Sequence, residues 1–82
     1  MSSVFHYVYI LRSVTNPRHY YVGMTTDLDD RLRSHNADKC VHTKYLPWRI
    51  DTSIALRNKS KAIEFEKYLK SHSGRAFAKK HF

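Results

Sequence analysis

The sequence predicts an α+β domain in the order ββαβαα, a three-stranded antiparallel sheet flanked by helices. Three observations predict it. Two aromatic and β-branched stretches near the start are separated by the turn Thr15-Asn16-Pro17. A third β-rich run follows Pro47. Stretches with helical spacing lie on either side of that run. Eighty-two residues are expected to form one domain, 1–82, with a small core.

Phe5 to Arg12 alternates and reads as the first strand, and His19 to Thr25 returns as the second, so the two form a hairpin. Gly23 within that strand would ordinarily weaken it and hints at a bulge or a close backbone approach. Thr26, with Asp29 three residues on, resembles a capping box opening a helix over Asp27 to Asn36. A polar loop continues through Lys44, and the third strand covers about Arg49 to Leu56. Asn58 or Ser60 caps a second helix reaching about Ser71. Gly74 is expected to break it, leaving Arg75 to Phe82 as a short basic terminal helix.

Fifteen Lys and Arg against seven Asp and Glu give a formal charge of +8. Such an excess suits a polyanionic partner, because neutralising phosphates releases counterions. Simple solubility or attraction to an anionic membrane surface would produce the same balance. Cys40 is the only cysteine, which rules out an intrachain disulfide and a cysteine-based zinc site. No apolar run is long enough for a membrane span, and the start lacks the pattern of a signal peptide. A cytoplasmic location with no membrane partner is the expectation.

On a helical wheel Leu28 and Leu32 define the apolar stripe of the first helix, with Arg31 and His35 at its edge and Asp30, Arg33 and Ser34 pointing outward. A cation at the edge of a core can be held in orientation for charge stabilisation; equally, Arg31 can snorkel past the core and His35 bond locally. In the second helix Ala62, Phe65 and Leu69 form the stripe, and Glu66 lies within it while Glu64 projects outward. An inward carboxylate needs compensation, so Glu66 is a candidate metal ligand or the partner of Arg31 or a lysine. Tyr7, Tyr9 and Leu11 share one face of the first strand, with His6, Val8 and Ile10 on the other. The tyrosines can be packing aromatics or platforms on which bases stack. No HExxH or His-x₃-His pair occurs within a helix, which argues against zinc. Lys79-Lys80-His81 reads as a solvated face or a phosphate contact.

Taken in order, Tyr7-Val8-Tyr9-Ile10-Leu11, Tyr21-Val22-Gly23-Met24-Thr25, Asp27-Leu28, Arg31-Leu32 and His35-Asn36 resemble the GIY-YIG nuclease superfamily. The later Lys61-Ala62, Glu66, Leu69-Lys70 and Gly74-Arg75 are similar to its small stand-alone bacterial members of the URI type. The resemblance runs from about His6 to Lys80 and implies a divalent-metal-dependent endonuclease hydrolysing DNA phosphodiesters; the short length adds the expectation of little intrinsic sequence specificity. The resemblance also implies Tyr9 as general base toward water, Tyr21 as a group positioning water or phosphate, and Arg31 as the cation on the pentavalent phosphate. His35 would assist proton transfer or phosphate contact, and Glu66 would hold a single Mg²⁺ or Mn²⁺ ion. Tyr7 and His42 are weaker candidates for the same site.

Lys44, Arg33, Lys70, Arg75 and Lys79 are the candidates for holding the nucleic-acid backbone. Two positions depart from the family pattern: Tyr7 stands where the first motif has its leading glycine, and no asparagine follows Asn58. The competing reading is a catalytically weak nucleic-acid-binding module, for DNA or RNA, on the same scaffold. Single-stranded, duplex and branched DNA all remain open as partners, and a monomer or weak homodimer is expected. DNA repair, recombination and the handling of incoming DNA are all compatible roles.

Overall fold

The chain runs β1 (His6–Ser13), β2 (Tyr20–Thr25), α1 (Leu28–Ala37), β3 (Trp48–Leu56), α2 (Lys59–Lys70) and α3 (His72–His81) in a computed structural model that describes residues 4–37 and 46–82. Cys40, His42 and Lys44 lie outside the described residues. The predicted ββαβαα order is observed, with strand order β2-β1-β3 and both pairings antiparallel. β1 is therefore the central strand. Its alternation places Val8 and Ile10 in a core with Val22, Ala62 and Leu69, roofed by α2 and α3. Tyr9 and Leu11 face the other way, into a second core with Trp48, Leu28 and Leu32 under α1. Helices thus cover both sheet faces, which is why β1 is buried along Val8–Leu11 while the edge strand β3 alternates.

The β1–β2 register is unbroken and sets Tyr9 opposite Gly23. Of the two expectations for Gly23, close approach is the one observed. A Cβ there would collide with Tyr9 Oη and lie 2.6 Å from Tyr9 Cζ and 3.0 Å from Tyr21 Cε1. The irregularity falls instead on β3, where Ile10 pairs with Thr52 and Leu11 with Ile50. Asp51 is the extra residue, and its carboxylate accepts from Arg12 Nε at 3.3 Å. The bulge lets Trp48 and Ile50 serve the α1 core while Leu56, opposite His6, packs on the other side.

Capping corrects two sequence expectations. α1 is capped by Asp27 rather than Thr26: Asp27 Oδ1 accepts from the Asp30 amide at 3.0 Å. Asp29 and Asp30 in the first turn and His35 in the last complement the helix dipole. α2 is capped by Asn58, whose Oδ1 accepts from the Lys61 amide at 3.0 Å. The helix ends at Lys70 with Ser71 as its C-cap, as expected, but α3 begins at His72 and not at Arg75. Ser71 donates its amide to the Tyr68 carbonyl and caps α3 by accepting from the Gly74 amide at 3.1 Å. Gly74 lies within the first turn of α3, where a Cβ would collide with the Tyr68 carbonyl oxygen. Glycine here permits a tight corner between helices and leaves α3 unbroken.

One side chain ties α1 to the sheet. Asn36 Oδ1 accepts from the Trp48 amide at 2.6 Å, and Asn36 Nδ2 donates to the Trp48 carbonyl at 3.1 Å. The amide side chain pairs with this residue as a neighbouring strand would. Among the described residues, no helix is long and apolar enough to cross a membrane.

Candidate active site

Strand alternation and the β1–β2 register put Tyr9 and Tyr21 on one sheet face, and α1 lays His35 against them. The three rings form a cluster, with centroids 4.8 Å apart for Tyr21–His35 and 6.5 Å for both Tyr9–Tyr21 and Tyr9–His35. Tyr9 is only 1% exposed, whereas Tyr21 is 43% exposed and presents its ring to solvent. Arg31, one turn before His35, is exposed, yet its charge reaches the Tyr9 phenol. Glu66 acts on the same phenol from α2, in the opposite helical layer. Two rings, Tyr21 and His35, therefore pack near Tyr9, and the charges of Arg31 and Glu66 act on its phenol from helices on opposite sides of the sheet.

Burial pushes the Tyr9 pKa up to about 12; Arg31 pulls it down, and Tyr21 and Glu66 raise it further. This runs against the general-base role implied for Tyr9, which would need a phenolate near neutrality. Desolvation outweighs the one guanidinium because that cation sits in water, where its field is screened. Tyr9 is thus a neutral hydroxyl near neutral pH, able to donate one hydrogen bond and accept others.

Glu66 is half-buried and forms an ion pair with Lys70, Nζ to Oε2 at 3.5 Å. The lysine partner was among the sequence alternatives, and it lies one turn along the same helix. The described residues contain no group of three or more His, Cys, Asp and Glu side chains disposed around a common ion. A single accessible carboxylate suits a hard cation that keeps most of its water and takes further oxygens from a phosphate. Mg²⁺ or Mn²⁺ fits that donor set.

Of the remaining candidates, Tyr7 lies on the same strand face two residues before Tyr9 and packs against Phe5, with ring centroids 6.3 Å apart. Lys70 and Arg75 line a depression that also includes Tyr21. Arg75 and Lys79 line its neighbour, whereas Arg33 lies on α1 in the other helical layer. Sequence reasoning passed over Asn36 as a structural group and Arg18 and Tyr20 as lining residues. For Asn36 the signal was an amide one position past His35 at a helix end, within reach of a following strand.

The family model described as the GIY-YIG catalytic domain matches residues 5–80. The chain belongs to the GIY-YIG family. Among solved structures the chain is similar to the UPF0213 protein from Bacillus halodurans, solved in solution by NMR, to which it is 31% identical. That match has a TM-score of 0.55 and covers 92% of this chain and 80% of the other. The chain is also similar to the structure-specific endonuclease subunit SLX1 of Meyerozyma guilliermondii, 36% identical over 73 residues, covering 80% of this chain and 25% of that protein. The corresponding subunit of Candida dubliniensis is 36% identical over 70 residues, covering 76% of this chain and 24% of that protein. The chain spans about a quarter of the length of these curated relatives. As a GIY-YIG catalytic domain it is of the nuclease, and so hydrolase, class.

Proposed function

We propose that this domain is an endonuclease that hydrolyses DNA phosphodiesters with the aid of one divalent ion on Glu66. The observation that carries the reading is the ring cluster of Tyr9, Tyr21 and His35, with the charges of Arg31 and Glu66 both acting on the Tyr9 phenol. When bound, the ion supplies Lewis-acid stabilisation to a phosphate oxygen and the leaving alkoxide. Arg31 adds positive charge where the pentavalent phosphate gathers negative charge. Tyr9, protonated, orients the attacking water by hydrogen bonding instead of removing its proton. His35 is the group beside the tyrosines whose chemistry suits proton transfer near neutrality. Tyr21, exposed and in contact with His35, positions the phosphate or the water.

DNA is the substrate favoured by the family and by the +8 charge. The designation of the yeast relatives as structure-specific endonuclease subunits supports a branched or partly single-stranded substrate over a sequence-specific one. The test is incubation of labelled single-stranded, duplex and forked DNA with Mg²⁺ or Mn²⁺, beside EDTA and Glu66→Ala controls. Metal-dependent cleavage abolished by the substitution is expected. Binding without cleavage on every substrate, indifferent to EDTA and to Glu66→Ala, would favour the weak binding module instead.

A further inference from the structure

Beyond the ring cluster, two depressions of about 390 and 460 Å³ adjoin along the β2 edge and α3, and both are lined by Arg18, Tyr20 and Arg75. The first includes Tyr21 of the ring cluster and Lys70, the ion-pair partner of Glu66; the second continues to Lys79 and Phe82. We propose that this trough binds a single-stranded segment of the DNA substrate, with Arg18, Arg75 and Lys79 on phosphates and Tyr20 and Phe82 stacking on bases. The proposal deepens the nuclease reading and rests on it for the identity of the polyanion.

Charge selects the partner. No Asp or Glu lines either depression. Among the described residues the ion pairs are Arg12–Asp51 and Lys70–Glu66, so Arg18, Arg75 and Lys79 have no carboxylate partner. Cations gathered along one path without counter-charges favour an extended chain of phosphates. The aromatic rings select the form of that chain. Tyr20 and Phe82 are each 43% exposed, and each can stack with a base only if the base is unpaired. Tyr20 is also braced before any ligand arrives: the Arg12 guanidinium lies 5.5 Å from its ring centroid. Arg12 itself is fixed by Asp51 and by donating to the Pro17 carbonyl at 2.8 Å. A bound strand loses less freedom against a ring already held in place.

The test measures binding of fluorescent DNA in EDTA, so that no cleavage is required. The probes are a blunt duplex and the same duplex carrying a short single-stranded tail. Wild-type protein should bind the tailed duplex at least about tenfold more tightly, the scale of one or two stacked bases. Arg18→Gln/Tyr20→Ala should lose that preference, and Tyr20→Phe should keep most of it. Arg18→Gln alone, on the exposed hairpin loop, covers the case in which the double variant unfolds. It should lower the slope of log affinity against log salt on the tailed probe by about 0.7. A wild-type protein indifferent to the tail overturns the proposal, as does equal weakening of both probes by the variants. Tail-dependent binding without cleavage when Mg²⁺ is added would instead count against the nuclease reading and leave the trough standing.

Discussion

Replacing Asn36 with alanine removes both bonds that join the end of α1 to the start of β3. The Trp48 amide loses its acceptor at 2.6 Å and the Trp48 carbonyl its donor at 3.1 Å. Each such bond contributes about 1 kcal/mol net, and a main-chain group left unpaired beside the largely buried Trp48 adds to the loss. The expected destabilisation is about 2–3 kcal/mol, which for a domain of this size corresponds to a fall in Tm of roughly 10–20 °C. Asn36→Asp keeps the acceptor for the amide but sets a carboxylate against a carbonyl oxygen, so it should be destabilised too, and less so when the pH is lowered enough to protonate it. Because α1 carries Arg31 and His35, both variants should also cut DNA more slowly at temperatures where they remain folded. Urea and thermal melts followed by circular dichroism read the stability directly. A loss below about 0.5 kcal/mol for Asn36→Ala, the range of an ordinary surface change, would refute the clamp.

The remaining predictions concern the site. Gly23→Ala should destabilise by roughly 1–3 kcal/mol through overpacking against Tyr9, and the penalty should shrink in a Tyr9→Phe background, where the clashing hydroxyl is gone. Glu66→Ala should reduce cleavage on the order of 10³-fold while leaving stability within about 0.5 kcal/mol, since its partly exposed pair with Lys70 contributes little. Parallel melts and cleavage assays separate the two effects. Arg31→Ala should lower kcat by about 10²–10³-fold, with a smaller change in DNA affinity; an equal loss in both would make Arg31 a binding cation only. The raised Tyr9 pKa of about 12 means the folded state holds this proton more tightly than the unfolded chain, whose value is near 10. That contribution, about 2–3 kcal/mol, is complete below pH 10 and is lost as the pH rises toward 12. Urea midpoints should fall over this window and fall less steeply in Tyr9→Phe; parallel curves would contradict the assignment.

Local chemistry made much of this protein legible before any coordinates. The alternation Val8-Tyr9-Ile10-Leu11, the turn at Asn16-Pro17 and the stripe Ala62, Phe65, Leu69 each follow from side-chain periodicity and act over a few residues, so the element order could be read directly. The same periodicity set Glu66 inward of Glu64 and placed Arg31 and His35 a turn apart. Two helix starts, those of α1 and α3, were misjudged because neighbouring residues offered competing chemistry. Thr26 and Asp27 both carry a capping oxygen, and Gly74 is a usual helix breaker until the corner formed by Ser71 places it against the Tyr68 carbonyl.

What only the tertiary structure decided depends on contacts between distant segments. The bulge at Asp51 cannot be seen in β3, whose burial alternates evenly; it exists because Arg12 and the two cores of β1 impose different demands on its halves. Gly23 was legible only as a bulge or a close approach; that it is an approach, and that the approaching group is the Tyr9 phenol, follows from the register. The state of that phenol is likewise tertiary: burial between sheet and helix outweighs an exposed guanidinium and keeps the proton on Tyr9. Residue identities thus determined which groups were available and which elements carried them. Packing across the sheet determined their neighbours and their charge, because desolvation and register are properties of the assembled layers and of no single segment.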